Sequence, residues 1–315
     1  MDESLRMVGI ELKRTYEEIV SLAEWSIHQD AVLPMAMYYT IMDETFDSFH
    51  FSNVLSDLQQ TAPLFSPLKG DAGPLVAMFL TKNERYEQQL QIIYRRVAAL
   101  RAQGFRHSYY TYIAALFMDE TQSYDEQARR AFALYRAMKK RHFFLTSDDD
   151  YALAVVLSRA ERDPDQHAQA MRMYYDALRK AGFRYGNTLQ TLSHLLADEA
   201  PTFTMKVVEQ VVYTERALRP MYAVDASDYG LLGLLSRHMK NTTKIKQFER
   251  CMAHYDDHDV LSTSRHPFWF TSSVFLHRQF YDKKQNQTYN RREHLERIAL
   301  FMVSNVFSAK LFTPS

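Results

Sequence analysis

Apolar residues recur along the chain at the three- and four-residue steps of an α-helix. The stretch "DEQARRAFALYRAMKK" is apolar at Ala128, Ala131, Phe132, Tyr135 and Met138, which places one apolar stripe along a helix. The stretch "HAQAMRMYYDALRK" has the same periodicity. The pattern therefore predicts amphipathic helices, each with one face that has to be covered by a neighbour.

The helical segments also repeat. "DYALAVVLSR" begins at Asp150, and "DYGLLGLLSR" begins seventy-eight residues later at Asp228. Similar segments begin at Leu75, Tyr112, Tyr151, Leu189, Tyr229 and Phe270, which are 37, 39, 38, 40 and 41 residues apart. A second series lies between them, aligned on Leu100, Met138, Leu178 and Leu218. Two series with one period predict a repeated pair of helices of about 39 residues.

This repeat predicts the fold class and the domain organisation. A single hairpin of two helices cannot bury its apolar face, so copies of it have to stack. We expect an all-α array of antiparallel helix hairpins, stacked as an α-solenoid of the tetratricopeptide, pentatricopeptide or HEAT type, or closed into a compact bundle. Residues 1–315 then form one helical-repeat domain, with capping helices in 1–60, core repeats in 61–278 and a closing helix in 279–315.

Several residues mark the ends of the predicted helices. Gly104 and Gly182 each precede a Phe, which is typical of a left-handed C-terminal cap with its apolar contact. Pro164 follows an Asp and is expected at the first position of a helix. Ser227 and Asn187 are expected as N-caps of their units.

Composition and charge narrow the class of protein. The 315 residues include only 8 Gly and 9 Pro, which suits long helices with short connections. The 38 basic residues balance 38 acidic ones, and a net charge of zero disfavours binding to nucleic acid. One cysteine, Cys251, excludes an internal disulfide. The charged N-terminus does not resemble a signal peptide, and the apolar runs are too short to span a membrane, so we expect a cytoplasmic protein.

Two stretches resemble an uncharacterised family of bacterial all-helical proteins of about this length. They are "FLTSDDDYALAVVL" (Phe144–Leu157) and "GFRYGNTLQTLSHLLA" (Gly182–Ala197). The resemblance implies a helical fold and a bacterial source. It implies no activity, cofactor or functional residue. "ALYRAMKKRHF" has a weaker likeness to the second helix of pentatricopeptide repeats.

A metal site is one hypothesis from the motifs. In "CMAHYDDHDV", His254 and His258 are four residues apart and share a helix face with Asp257 nearby, which is half of a zinc or iron site. The Glu of the H-E-x-x-H motif is missing, and a polar helix end explains the residues better. The acids Asp148 to Asp150 are similarly better explained as a helix start than as a cation site.

Polar exceptions within the repeat suggest a binding groove. Asn187, Gln190 and His194 lie on a Leu-rich helix, where other copies carry apolar residues in place of Gln190 and His194. The alternative is a buried histidine bonded to a neighbouring carbonyl. The basic residues Arg159, Arg237 and Arg278 recur at one repeat position, either as a ladder for an acidic ligand or as solvated helix ends.

These observations predict function only as a class. The chain contains no G-x-S-x-G, Walker or G-x-G-x-x-G motif. We therefore expect a non-enzymatic helical-repeat protein, without a cofactor, that binds a protein or peptide partner on a concave face. The alternatives are a metal-dependent enzyme that uses His254 and His258, and an RNA-binding helical repeat.

Overall fold

The structure of the protein, a computed structural model, describes residues 3–26, 29–42, 44–70, 72–81, 86–256 and 267–281. Within these ranges the chain forms α-helices and short 3₁₀ turns and no β-strand, which confirms the prediction of an all-α fold. The helices are α1 (Glu3–Ser26), α2 (Gln29–Met42), α3 (Ser48–Thr61), α4 (Ala72–Leu80), α5 (Tyr86–Gln103), α6 (Tyr109–Leu116), α7 (Tyr124–Arg141), α8 (Tyr151–Leu157), α9 (Pro164–Lys180), α10 (Asn187–Glu199), α11 (Met205–Leu218), α12 (Tyr229–Ser236), α13 (Thr242–Asp256) and α14 (Pro267–Tyr281). None of these helices is long and apolar enough to cross a membrane.

The described residues divide into two compact units. Residues 45–168 belong to one unit, and residues 169–256 and 267–281 belong to the other. In the first unit, α4 packs on α3 and α6, and α6 packs in turn on α8. The longer helix α5 packs on α6 and α7, and α7 packs on α8. Every residue of α8 is buried, since this short helix has neighbours on several sides.

The second unit has similar pairings among its own helices. Here α12 packs on α10 and on α14, while α11 packs on α12 and α13 packs on α14. All eight residues of α12 are buried, as they are in α8. The short, apolar helices therefore form the interior of each unit, and the longer amphipathic helices cover them.

Two stretches, one in each unit, contain the ten-letter segment that occurs twice in the sequence; we call them the first copy (residues 104–167) and the second copy (residues 182–245). Each begins with a glycine in a left-handed conformation, Gly104 at φ 115° and Gly182 at φ 100°. The next residue closes a helix end: the amide of Phe105 donates to the Leu100 carbonyl at 3.3 Å, and that of Phe183 donates to the Leu178 carbonyl at 3.1 Å. These are the predicted C-terminal caps.

The opening tyrosines of the repeated ten-letter segment have matching surroundings. The hydroxyl of Tyr151 accepts a hydrogen bond from the amide of Arg106 at 3.4 Å, and that of Tyr229 accepts one from the amide of Arg184 at 2.9 Å. Each ring also lies edge-on to the Phe that follows the capping glycine. The same letters recur because they make the same contacts.

The acid before each tyrosine also has one role in both copies. The Asp150 carboxylate accepts from the amide of Ser147 at 3.1 Å, and the Asp228 carboxylate accepts from the amide of Asp225 at 2.9 Å. In return, the amide of each acid donates to the side chain of its N-cap residue, Ser147 or Asp225. This reciprocal pair of bonds fixes the start of a helix. The prediction of Ser227 as the cap was therefore wrong, because Asp225 takes that place.

The prediction of Asn187 as the N-cap of α10 was also wrong. Gly186 takes the N-cap position at φ 145°, a value that favours glycine. Asn187 is the first residue of the helix, and its carbonyl accepts from the hydroxyl of Thr191. Pro164 does begin α9, as predicted.

Candidate binding cleft

A cleft of about 300 Å³ opens in the first copy between α7, the turn that follows α8, and the first turn of α9. We call it the α7–α9 cleft. Six of its lining residues can carry charge: Glu126, Arg129, Arg130, Glu161, Arg162 and His167. The lining of the cleft is therefore rich in charged side chains, unlike the buried surfaces of α8 and α12.

Local sequence explains why α7 faces the cleft with charged residues. Arg129 and Arg130 lie three and four residues after Glu126, and Ala133 lies four and three residues after them, so the four residues lie on one side of the helix. The helix begins at this end because the Ser123 hydroxyl accepts from the Glu126 amide at 3.4 Å. The opposite face is apolar and buried. Amphipathicity thus fixes the direction of the charged face.

Arg130 has three partners, one of which is Glu126, whose Oε1 lies 3.8 Å from Arg130 Nη1. Its Nη1 donates to Glu161 Oε1 at 2.7 Å, and its Nη2 donates to Gln122 Oε1 at 2.6 Å. The Arg130 side chain is only 17% exposed. This guanidinium connects α7 with the turn after α8 and has a fixed position in the cleft.

Arg129 lies nearer to solvent. It makes a two-pronged pair with Glu126, from Nε to Oε2 at 2.9 Å and from Nη2 to Oε1 at 2.6 Å. The Arg129 hydrogen bond lowers the pKa of Glu126 below its usual value. Both side chains are well exposed, at 63% and 44%, so water screens the pair and weakens it.

Glu161 has an unusual backbone. Its φ is 51°, and among the described residues it is the one non-glycine residue with a positive φ. Its amide donates to the Ser158 carbonyl at 3.3 Å, which closes the turn after α8. A left-handed conformation is unfavourable for a residue with a Cβ, so the chain accepts strain where this carboxylate enters the cleft.

The floor of the cleft is apolar. Leu134 and Leu157 line it and are themselves 2% and 1% exposed, while Ala133 and Pro164 lie at its sides. His167 also lines the cleft, and its ring is buried. The arrangement can hold an apolar group against the floor and a charged group at the rim.

The second copy has a different structure at the same place. Glu161 corresponds to Met239, and His167 corresponds to Ile245, each seventy-eight residues further on. Met239 is fully buried and Ile245 is 8% exposed. The helices that follow begin alike, since Asp163 caps α9 and Asn241 caps α13. Apolar side chains thus occupy in the second copy the positions of Glu161 and His167 in the first.

The residue that corresponds to Arg130 supports this alignment. The buried positions of α7 and α11 match at an offset of eighty residues, which pairs Arg130 with Gln210. Gln210 Nε2 donates to the Met239 carbonyl oxygen at 3.1 Å. In both copies, then, this position of the long helix bonds to the residue after the buried helix. Only in the first copy is the bond an ion pair.

The predicted groove residues on α10 lie inside the protein. Gln190 is 1% exposed and His194 is fully buried, while Asn187 at the helix start is half-buried. Gln190 and His194 therefore pack within the second unit. Their departure from the apolar pattern marks a buried polar position.

Two of the predicted ladder arginines bind backbone carbonyls. Arg159 Nη2 donates to the Phe117 carbonyl, and Arg237 Nη2 donates to the Leu195 carbonyl at 3.1 Å. Arg237 also forms an ion pair with Glu199. Each arginine joins consecutive buried helices, which accounts for its recurrence after seventy-eight residues. Arg278 belongs to α14, and its side chain lies outside the described residues.

The side chains of the predicted metal ligands lie outside the described residues. His254 belongs to the last turn of α13, but its side chain lies outside the described residues, as do Asp257 and His258. Across the ranges that the structure describes, no group of three His, Cys, Asp or Glu side chains is placed to hold a metal ion. The metal hypothesis for His254 and His258 stays a prediction.

Comparison with known proteins places the chain in a family. Residues 15–303 match the model described as "Protein of unknown function (DUF4003)". The chain belongs to the DUF4003 family. This agrees with the resemblance to an uncharacterised family that the sequence indicated.

One curated relative matches part of this DUF4003 chain in sequence. It is described as "Uncharacterized protein YeaA", from Bacillus subtilis (strain 168), and is 27% identical over 209 residues. The match spans 62% of this chain and 62% of the relative's own length. No solved structure matches the chain.

Proposed function

We propose that this DUF4003 protein is a helical-repeat protein of the α-solenoid type that binds a protein or peptide partner in the α7–α9 cleft. The repeat arrangement is supported by the packing of α4 on α6 and of α6 on α8 in one unit, and by that of α10 on α12 and of α12 on α14 in the other. Matching caps, tyrosine bonds and arginine bonds in the two copies support it further. Stacked hairpins provide extended surfaces for other chains.

The observation that carries the binding proposal is the difference between the copies. The second copy fills the position after its buried helix with Met239, whereas the first copy places Glu161 there and leaves a cleft. A repeat that exchanges apolar side chains for charged ones loses core packing. Natural proteins accept such local costs mostly at functional sites. We therefore assign the partner surface to this cleft and no longer to Gln190 and His194, which are buried.

The chemistry of the cleft supports recognition of another molecule. Arginine side chains carry a permanent charge and a planar fork of donors that matches carboxylates. Arg129 is 63% exposed and presents such a fork, next to Arg130, whose fork is bonded to Glu161 and Gln122. Charged groups beside an apolar floor are typical of protein and peptide contacts.

Site-specific crosslinking tests the proposal. The photoreactive residue p-benzoylphenylalanine is placed at Ala133 in the cleft, and as a matched control at Tyr213, which corresponds to Ala133 in the second copy and is 42% exposed. After irradiation of cells of the source organism, we expect a discrete crosslinked protein from position 133 that is absent from position 213. No adduct at 133, or the same adducts at both positions, would refute the proposal.

A further inference from the structure

We infer that the α7–α9 cleft takes an acidic peptide segment, in which an Asp or Glu stands beside an aliphatic side chain. The inference rests on the proposed function and specifies the chemistry of the partner. It is argued from the charge balance of the cleft, from the weakness of one internal ion pair, and from the apolar floor.

The charge balance favours an anionic ligand. Three arginines, Arg129, Arg130 and Arg162, line the cleft together with two carboxylates, Glu126 and Glu161. The net charge of the lining is therefore positive even when His167 is neutral. The first turn of α9 lies at the same place, and helix N-termini carry a partial positive charge. Asp163 already caps this N-terminus, so the arginines are the source of the attraction for a ligand carboxylate.

Arg129 can change partners. Its partner Glu126 lies three residues earlier on the same helix. Both side chains are exposed, so the ion pair is weak. Arg159 and Arg237, by contrast, donate to backbone carbonyls and cannot leave without breaking the packing of buried helices. A ligand carboxylate can thus replace Glu126 on the Arg129 guanidinium while Glu126 turns to water.

Arg130 supplies a second, fixed point of recognition. Glu161 and Gln122 accept hydrogen bonds from its guanidinium at 2.7 Å and 2.6 Å. The Arg130 side chain is therefore already ordered before a ligand binds. Preordered groups reduce the entropy that binding loses. One exchangeable and one fixed arginine on the same helix face suit the carboxylate and the backbone of a peptide.

The floor and the volume favour a short peptide segment. Leu134 and Leu157 are almost fully buried, so the half-buried Ala133 and Pro164 provide most of the apolar surface beside the arginines. About 300 Å³ lies at the lower end of the range for ligand pockets, so it holds a few side-chain groups and not a whole helix. Because the Arg129 side chain is 63% exposed, the rim is open to solvent, as a chain that passes through the cleft requires.

The second copy gives an internal contrast for the charge. The position of Arg129 is taken by Glu209 there, and that of Glu126 is taken by Lys206. The sign of the charge is reversed at both positions. The arginine that an acidic segment would bind in the first copy is thus replaced by a glutamate in the second.

Peptide selection tests the inference. A phage library of random 12-residue peptides is selected on the full-length protein and counter-selected on Arg129→Glu. Arg136→Glu is the matched control, because Arg136 is an exposed arginine of α7 that does not line the cleft. Thermal unfolding of both variants checks that they fold. The affinity of selected peptides is measured by fluorescence anisotropy.

We expect the selected peptides to be enriched in Asp or Glu next to Leu, Ile, Val or Met. Their affinity should fall roughly tenfold or more with Arg129→Glu, or when the peptide acid becomes an amide, since a lost charge-assisted bond has that effect. Arg136→Glu should change it less than twofold. Peptides without acidic enrichment, peptides that bind Arg129→Glu equally, or no cleft-dependent peptide would overturn the inference.

The crosslinking experiment and the peptide selection can fail independently of each other. A crosslinked protein at position 133 together with non-acidic selected peptides leaves the proposed function intact and overturns the acidic class. Binding to the cleft of a small anion such as inorganic phosphate, detected by calorimetry and abolished by Arg129→Glu, without peptide binding, also overturns the inference. Absence of any crosslink at position 133 refutes the proposed function itself.

Discussion

The first and second copies have the same framework and differ where the turn after the buried helix meets the long helices. Both place a tyrosine hydroxyl on a backbone amide and an arginine on a carbonyl of the preceding buried helix. One copy continues with Glu161 in a left-handed conformation and opens a cleft, while the other continues with the buried Met239. Framework residues are thus repeated because packing requires them, and the cleft residues are free to diverge.

We expect the largest effect on stability from alanine substitutions at the capping glycines Gly104 and Gly182. Comparing the two variants separates the cost of backbone strain from the cost of a packing clash. Gly182→Ala adds a Cβ where nothing lies within 4 Å, so only the left-handed backbone resists it, at about 1–2 kcal/mol. Gly104→Ala meets the same strain, and its Cβ would also lie 2.7 Å from Cζ of Phe132. We expect Gly104→Ala to cost about 3 kcal/mol in all.

The measurement is the urea midpoint of each variant. The double variant Gly104→Ala with Phe132→Leu is the control, since a smaller side chain at 132 should recover part of the loss. Equal destabilisation by the two alanine variants would show that the Phe132 contact has no energetic role.

A smaller effect is expected from the pH dependence of the second copy. Burial raises the pKa of Asp228 from 3.8 to about 6, and the Nε1 of Trp269 donates to its Oδ1 at 2.7 Å. A raised pKa means that the stabilising contribution is complete below pH 3.8 and is lost as the pH rises through about 6. This residue should therefore make the protein about 1 kcal/mol more stable at pH 5 than at pH 7.

Comparison with Asp228→Asn isolates that contribution, because all other groups titrate equally in both proteins. The measured quantity is the free energy of unfolding at pH 5, 6 and 7 in wild type and variant. The difference between the two proteins should change with pH in the stated direction. A difference that is constant from pH 5 to pH 7 would mean that the carboxyl has an ordinary pKa.

Much of the fold could be predicted from the sequence because it depends on local chemistry. Helical periodicity, the Gly-Phe caps and Pro164 at a helix start are properties of neighbouring residues, and the structure contains them. The caps at Ser227 and Asn187 were mistaken because Asp225 and Gly186 were also able to occupy those positions. Several residues can cap one helix, and the choice depends on the turn before it.

The cleft was missed because it depends on which faces of distant helices converge. Gln190 and His194 were selected as polar exceptions in a repeat, but periodicity does not tell whether an exception lies in the core or at the surface. The same comparison of copies at the end of the buried helix would have found Glu161 opposite Met239 and His167 opposite Ile245. Glu161, just after a buried helix, is exposed, whereas Gln190 and His194 in the middle of α10 are buried.

The most direct test of the central claim is to give the first copy the residues of the second. The double variant Glu161→Met with His167→Ile should close the α7–α9 cleft, since Met239 and Ile245 are buried at the corresponding positions. With p-benzoylphenylalanine at Ala133, we expect the crosslinked partner to disappear. The gain in apolar burial is opposed by the loss of the Arg130–Glu161 ion pair, so thermal unfolding checks that the variant folds. Undiminished crosslinking in a stably folded double variant would contradict the claim that the divergence of the two copies creates the binding site.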